Sequence, residues 1–166
     1  MRKFCVYPSP VGELTLVADE SALFAVHFDN ESFCADGLTE GSNEIIDLAK
    51  KWLDEYFAGR VPSFTPPYRF EGSPFRVAVW EEIAAIPYGK TTTYGEIAKK
   101  VAAKFGKPKM SAQAVGGATG SNRIPIIVPC HRVMGADGSL TGFSAGLDKK
   151  KILLGIEGIT YKDRRR

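Results

Sequence analysis

Alternation of apolar and polar residues near the start of the chain predicts a small β-sheet. Residues 3–8 and 13–18 each have the pattern of a short strand, and the turn-forming segment 8–12 between them indicates a hairpin. Residues 22–28 predict a third strand. The polar stretch 29–42 predicts a loop.

An amphipathic helix is predicted over residues 43–57, and Gly59 follows as a stop signal. Its apolar face consists of Ile45, Ile46, Leu48, Ala49, Trp52, Leu53, Tyr56 and Phe57. Three prolines between residues 61 and 67 cannot continue a helix, so a domain boundary is expected there. The pattern therefore predicts an α/β scaffold domain over residues 1–70, with this helix against the sheet, and a second domain over residues 71–166.

Three helix starts follow in the second half. Ser73-Pro74 supplies an N-cap and then proline at the first helical position. The segment Thr93–Glu96 has the spacing of a capping box, which predicts a short helix to about residue 103. Ser111 can cap a third helix over residues 112–120.

The rest of the pattern predicts a strand, a hairpin and a last helix. Ile124–Val128 is an apolar, strand-like run, and Asp137-Gly138 favours a hairpin turn that would form a β wing. Residues 149–157 predict a helix that ends at Gly158. Two short capped helices before a hairpin resemble a winged helix-turn-helix, whose second helix enters a groove of DNA. The expected fold class is therefore mixed, α+β or α/β, with a mostly helical second domain.

The predicted helix at residues 112–120 consists almost wholly of small residues. A glycine inside a helix costs roughly 1 kcal/mol relative to alanine. Close approach of the helix backbone to a partner would explain the glycines, and so would tight packing against another helix of the same protein.

Charge is unevenly distributed along the 166-residue chain, whose net charge is +3. Residues 1–70 carry a net charge of −5 and residues 71–166 one of +8. This asymmetry is expected when one half meets a polyanion, although a solvated basic surface with a basic tail at residues 162–166 explains it equally well. A hydrophobic fraction of 44% and a charged fraction of 25% exclude a disordered or fibrous protein.

The cysteines indicate a reduced environment. Cys5, Cys34 and Cys130 form an odd, widely spaced set, so we expect no disulfide scaffold. We expect a cytoplasmic location, where thiols stay reduced. No apolar run approaches the roughly 20 residues of a membrane span, and no early segment has the pattern of a signal peptide. No association with a membrane is therefore expected.

Cys130 is the strongest candidate for chemistry. A free thiol is only about 3% thiolate at pH 7, and a nearby base or cation such as His131 or Arg132 can activate it. Neighbouring residues on a strand point to opposite faces, so Cys130 and His131 cooperate only if the chain bends or a water intervenes. From residue types alone, a buried and unreactive cysteine remains an alternative.

The run Ile124–Val133, which contains Pro-Cys-His-Arg-Val, resembles the active-site signature of the O6-alkylguanine-DNA alkyltransferases, also called methylated-DNA–protein-cysteine methyltransferases. Matching features flank it in order: Thr93-Tyr94-Gly-Glu-Ile-Ala98, Ala114-Val-Gly-Gly117, Asn122, Gly142-Phe-Ser144 and Leu153-Leu-Gly-Ile-Glu157. The resemblance covers residues 73–158 densely and the N-terminal half loosely, through Ser9-Pro-Val-Gly12. It implies a small ribonuclease H-like sheet-and-helix domain followed by a winged helix-turn-helix domain.

The resemblance implies DNA repair by direct reversal. An alkylated guanine is flipped out of the duplex, and its O6-alkyl group moves irreversibly to Cys130 in a single turnover; O4-alkylthymine is expected to react likewise. His131 would act through a water as the base, Glu157 would orient His131, and Asn122 would brace the active-site turn. Tyr94 would crowd the target phosphate and donate a hydrogen bond to the departing guanine.

The resemblance also implies the binding residues. The guanine pocket would include Ser144, Val133, Phe143 and Pro125, with Ser144 and nearby backbone N–H groups holding the guanine O6. The DNA contacts would come from Tyr94, Ala112, Gln113, Gly116, Gly117 and Arg132. The implied partner is double-stranded DNA containing alkylated guanine, bound through its minor groove by a monomer that needs no cofactor and has no metal site.

Three residues depart from the family pattern. Gln113 stands where many members have an arginine that fills the gap left by the flipped base, and glutamine lacks the charge and the planar guanidinium. Phe143 stands where some relatives have tyrosine, and therefore lacks a hydroxyl. Ala145 stands where some have glycine, which predicts poorer tolerance of bulky adducts than an Ala145→Gly variant would have.

Two other classes of function remain open from the sequence. A DNA-binding module without chemistry, such as a winged-helix regulator or a lesion-sensing relative, would bind the lesion and transfer nothing, although such sensors lack the cysteine that Cys130 supplies. A cysteine hydrolase using Cys130 and His131 would turn over repeatedly. Counting turnovers separates a hydrolase from single-use transfer.

Overall fold

The computed structural model describes residues 1–143 and 145–162, so Ser144 and the tail residues 163–166 lie outside the described residues. The chain forms two compact units, Met1–Phe70 with Arg123–Pro125, and Glu71–Asn122 with the residues from Ile126 onwards. The short segment at 123–125 belongs to the first unit because Val26 N donates to Arg123 O at 2.8 Å. Within the described ranges, no helix is long and apolar enough to cross a bilayer.

The first unit is built on a four-stranded sheet in the order β3-β2-β1-β4. Strands β1 (Lys3–Ser9) and β2 (Gly12–Ala18) pair antiparallel with Ser9 opposite Gly12, as the predicted hairpin requires. Strand β3 (Leu23–His27) pairs antiparallel with β2. A two-residue strand, β4 (Thr39–Glu40), pairs parallel with β1 and lies inside the segment predicted as a loop.

One helix, α1 (Glu44–Phe57), covers this sheet. Asn43 caps it, since its side-chain oxygen accepts a hydrogen bond from Ile46 N at 2.9 Å. The face that packs on the strands includes the fully buried Ile46, Leu53 and Tyr56. An apolar stripe with helical period therefore supplies the core of the first unit.

The second unit contains four helices: α2 (Pro74–Ala84), α3 (Tyr94–Lys104), α4 (Ala112–Gly120) and α5 (Leu147–Ile156). Ser73, Thr93 and Ser111 cap the first three, each accepting from the backbone N–H three residues later. Helices α2, α3 and α4 pack on one another.

One local prediction was wrong in the second half of the chain. Residues 124–128 form turns and no strand, and Ile126 has a φ of 74°, a left-handed conformation that a strand does not contain. The turn predicted at Asp137-Gly138 is present, since Gly135 N donates to Ser139 O at 3.1 Å and Gly138 N donates to Gly135 O at 2.9 Å. Strand β6 (Val133–Met134) pairs parallel with β5 (Thr92–Thr93), and after the turn at Asp137-Gly138 the backbone pairs with Lys162.

Candidate active site

Cys130 lies on a single turn of 3-10 helix, Cys130–Arg132, and is buried. Cys130 N donates to Val128 O at 2.8 Å, and Arg132 N donates to Pro129 O at 2.9 Å. The chain therefore bends at the cysteine. The side-chain alternation of a strand, which would have separated Cys130 from His131, does not apply to this turn.

Asn122 forms a hydrogen bond with the segment that leads into this turn. Its Nδ2 donates to Val128 O at 2.9 Å, two residues before the cysteine. The brace expected from the resemblance is therefore present as a side-chain hydrogen bond to the active-site backbone.

Glu157, the residue just after α5, forms hydrogen bonds with both residues that follow Cys130, namely His131 and Arg132. Its carboxylate accepts from His131 Nε2 at 2.6 Å, from Arg132 Nε at 2.8 Å and Nη2 at 3.1 Å, and from Gly89 N at 3.0 Å. The His131 and Glu157 side chains are both fully buried. This fixes the position of the imidazole ring by a charge-assisted hydrogen bond.

The environment of His131 favours the neutral ring. Burial lowers the pKa of His131 below its ordinary value, with Arg132 and Lys150 adding to that effect and Glu157 opposing it. Because the carboxylate of Glu157 can only accept, Nε2 carries the ring proton and Nδ1 is the basic nitrogen. A neutral imidazole held in one tautomer is what a general base needs.

Arg132 has a different position from the one expected for a DNA contact. It is only 6% exposed, and besides its two bonds to Glu157 it donates from Nη1 to Ile86 O at 2.6 Å. A buried guanidinium committed to a carboxylate and a carbonyl is not available to a phosphate. The assignment of Arg132 to DNA binding is therefore corrected to a structural partner of Glu157.

Lys150 is a site residue that sequence reasoning missed. It is fully buried on α5, and its Nζ donates to Val133 O at 2.9 Å and to Thr141 O at 3.4 Å. Burial lowers the pKa of Lys150 to about 8, and the charge of Cys130 acts in the opposite direction. Lys150 precedes Leu153 and Leu154 by three and four residues, which places it on the apolar side of α5. Its burial could have been predicted from that spacing.

Tyr94, the first residue of α3, lies beside the cysteine. Its hydroxyl shares a hydrogen bond with Thr141 Oγ1 at 3.0 Å. Burial raises the pKa of Tyr94, the charge of Cys130 also raises it, and the bond to Thr141 lowers it.

Tyr94 and Cys130 both line a cavity of about 40 Å³. A volume of that size holds about one or two water molecules. Its lining consists of Tyr94, Gly116, Thr119, Gly120, Cys130, Gly142 and Phe143. Phe143 therefore lies where the resemblance expects a pocket residue. Val133 is fully buried and holds Lys150 through its carbonyl, Pro125 belongs to the first unit, and Ser144 lies outside the described residues.

Helix α4 exposes Ala112, Gln113 and Gly117 at its surface, as a DNA-contacting helix requires. A Cβ added to Gly117 would meet no described atom within 4 Å, and one added to Gly116 would come no closer than 3.9 Å to the Tyr94 ring. Packing inside this unit does not explain these glycines.

Comparison with known proteins identifies the family. Residues 3–70 match "6-O-methylguanine DNA methyltransferase, ribonuclease-like domain", and residues 74–159 match the DNA binding domain of the same description. A methylated-DNA–protein-cysteine methyltransferase of Methanosarcina acetivorans is 44% identical over 93% of this chain and 97% of its own length. One of Haemophilus influenzae is 39% identical over 97% and 89%.

A solved structure agrees with these matches. The crystal structure of Mycobacterium tuberculosis OGT in complex with DNA has a TM-score of 0.83 and 37% identity, covering 93% of this chain and 92% of that one. A two-domain architecture, a ribonuclease-like domain before a DNA-binding domain, is therefore confirmed. The chain belongs to the methylated-DNA–protein-cysteine methyltransferase family.

Proposed function

We propose that this protein repairs DNA by moving the alkyl group of O6-alkylguanine to Cys130. The observation that carries the proposal is a buried cysteine on a bent turn next to a neutral histidine, which Glu157 holds in one tautomer at 2.6 Å. The family and the DNA-bound relative support DNA as the substrate. O4-alkylthymine, whose alkyl–oxygen bond is of the same kind, is proposed as a second substrate.

The reaction begins with loss of the thiol proton. His131 Nδ1 takes that proton through a water, and Glu157 and Arg132 stabilise the imidazolium that forms. The buried ammonium of Lys150 favours the thiolate of Cys130, because opposite charges in a buried site interact strongly. The thiolate sulfur then attacks the alkyl carbon, the sulfur–carbon bond forms, and the carbon–O6 bond breaks.

Guanine is the leaving group. Tyr94, whose raised pKa keeps its hydroxyl protonated, donates a hydrogen bond to the purine as negative charge develops on it. Ser144 and neighbouring backbone N–H groups hold O6, while Val133 and Phe143 contact the purine. The thioether left on Cys130 has no route back to a thiol, so each molecule acts once.

DNA binding is proposed for α3 and α4 as a helix-turn-helix, with α4 in the minor groove. Ala112, Gly116 and Gly117 allow the sugar–phosphate backbone to come close, and Gln113 fills the gap left by the flipped base. We propose that the protein acts as a monomer in the cytoplasm without a cofactor.

Mass spectrometry of the intact protein after exposure to duplex DNA containing O6-methylguanine tests this proposal. We expect the mass of one methyl group on every molecule, located on Cys130, and no second addition with excess DNA. Cys130→Ala should gain nothing, whereas the control Cys34→Ala, which removes an exposed cysteine, should react as wild type does. An unmodified Cys130, or transfer by Cys130→Ala, would show the proposal to be wrong.

A further inference from the structure

The helix proposed to enter DNA carries no charge of its own. Residues 111–122, which comprise α4 and its two flanks, contain no Lys, Arg, Asp or Glu. Phosphate neutralisation by cationic side chains supplies most of the sequence-independent affinity of DNA-binding proteins. If this protein binds DNA, the cations must come from elsewhere in the second unit.

A run of lysines precedes α4. No Asp or Glu occurs between Glu96 and Asp137, whereas five lysines lie between residues 99 and 109. Two of these five have carboxylate partners: Lys99 Nζ lies 3.4 Å from Glu96 and Lys104 Nζ lies 3.0 Å from Glu81. Among the described residues no carboxylate pairs with the other three, which are Lys100, Lys107 and Lys109.

Lys107 and Lys109 stand beside an open groove of about 490 Å³ between α3 and the loop that leads to α4. Small or apolar residues line it, among them Ala98, Ala102, Pro108 and Met110, and every charged residue of its lining is a lysine. Its lining also includes Gly95, which follows Tyr94, and Ala112, which begins α4. The groove is therefore continuous with the surface proposed to meet the target nucleotide.

We infer that this groove, with Lys107 and Lys109 on its rim, is a second contact site for the DNA backbone. The occupant is the phosphodiester backbone of the same duplex, beyond the nucleotides that α4 meets. Charge complementarity is the argument. Lys107 and Lys109 have no carboxylate partner among the described residues, which suits a polyanion, whereas the third lysine of the lining, Lys99, pairs with Glu96. The small floor residues leave room for deoxyribose. The inference rests on the proposed function, because it extends the footprint of the proposed DNA interface.

Salt dependence of DNA binding tests this inference. The slope of log affinity against log salt concentration changes by about 0.9 for each phosphate contact. With an undamaged duplex as the probe, we expect the double variant Lys107→Gln/Lys109→Gln to have a slope about 2 smaller in magnitude than wild type. Lys107→Arg/Lys109→Arg should restore the wild-type slope. A wild-type slope for the glutamine variant would overturn the inference.

A matched control removes the same charge from the first unit. Lys50→Gln/Lys51→Gln changes two lysines of α1 that line a depression together with Glu44, Asp47 and Asp54, and it should leave the slope unchanged. An equal fall in slope for both pairs would mean that only net charge matters, which would also overturn the inference.

Methyl transfer from the free base O6-methylguanine, which needs no DNA contact, separates the two proposals. We expect wild type and Lys107→Gln/Lys109→Gln to transfer from the free base at the same rate. No transfer by wild type from either free base or damaged duplex would disprove the proposed function. Normal transfer together with a wild-type salt slope in Lys107→Gln/Lys109→Gln would disprove the DNA contact at the groove and leave the proposed function intact.

Discussion

Buried charge and polarity distinguish the two compact units of this chain. Every buried polar or charged side chain in the described residues lies in the second unit: Thr119, His131, Arg132, Ser139, Lys150 and Glu157. The buried residues of the first unit are all hydrophobic, from Leu14 and Leu16 on the sheet to Leu53 and Tyr56 on α1.

The difference reflects what each unit is required to do. An apolar core is stabilised by removing nonpolar surface from water, and it needs no particular ionisation state. A buried ion pair such as Arg132–Glu157 costs desolvation that its attraction repays only when geometry is excellent. The second unit bears that cost around Cys130, the proposed nucleophile, so we expect its buried charges to affect activity as well as stability, and the core of the first unit to affect stability alone.

Glu157→Gln tests the buried charges most severely. Removing one partner of a buried ion pair costs about 3–5 kcal/mol, because Arg132 would remain buried without its counter-charge. We expect the free energy of unfolding to fall by about that amount, and the methyl transfer rate of the folded protein to fall at least about 100-fold, because His131 loses the charged acceptor that stabilises its imidazolium. Chemical denaturation and single-turnover transfer from damaged duplex measure the two effects.

Glu96→Gln is the matched control for that substitution. Glu96 is exposed and pairs with Lys99 at 3.4 Å, so its loss should change stability by no more than about 0.5 kcal/mol. Similar losses of stability in the two variants would contradict the importance given to burial at Glu157.

Lys150→Met separates activity from stability. We expect transfer at neutral pH to slow about tenfold and the pH–rate profile to move to higher pH, since the Cys130 thiolate would lose its nearby cation. The free energy of unfolding at neutral pH should instead rise in this variant. The pKa of Lys150 is lowered from 10.5 to about 8 in the folded protein, so the unfolded chain binds more protons between these pH values.

Wild-type stability should therefore rise with pH across that window, by up to about 3 kcal/mol from this group, and the rise should be smaller in Lys150→Met. Denaturation at a series of pH values measures it. Lys149→Met, a change at the neighbouring lysine, which is only half-buried, should retain the wild-type pH dependence. If stability depended on pH in the same way in wild type and in Lys150→Met, the charged form of Lys150 would not destabilise the folded protein.

Local signals explain why most of the fold could be predicted. The side chains of Asn43, Ser73, Thr93 and Ser111 each accept the hydrogen bond that starts a helix, and such a cap is visible within four residues of sequence. The ordered motifs around Cys130 likewise identified His131 and Glu157, which the structure brings together.

The errors arose where a distant residue decides the local structure. The apolar run at 124–128 has a strand's composition, but its backbone turns and Asn122 holds Val128 O from outside it. The pairing of Ser139 with Lys162 could not be predicted either, because it joins residues far apart in sequence. The burial of Arg132 and Lys150 was missed for a related reason, since only a folded interior supplies the acceptors that allow a cation to be buried.

Tyr94→Phe is expected to slow transfer about as much as Lys150→Met does and to change stability less than either charge substitution. It removes the hydroxyl proposed to donate to the departing guanine and leaves the ring, so we expect transfer to slow about tenfold with stability changed by no more than about 1.5 kcal/mol. Thr141→Val removes the other partner of the 3.0 Å hydrogen bond and keeps the Tyr94 hydroxyl. It should transfer at least as fast as wild type; equal slowing in both variants would assign the effect to their mutual bond.

Leu53→Ala should have the smallest effect on the transfer rate and a large one on stability. Leu53 is fully buried on α1, and truncating such a leucine costs about 2–5 kcal/mol through lost burial and the cavity left behind. Measured well below the unfolding temperature, its single-turnover rate should match wild type. Val115→Ala provides the counterpart: Val115 is fully buried on α4, so its loss should both destabilise the protein and slow transfer from DNA. A slowed Leu53→Ala enzyme would mean that the first unit takes part in the chemistry, which would end the division between scaffold and site.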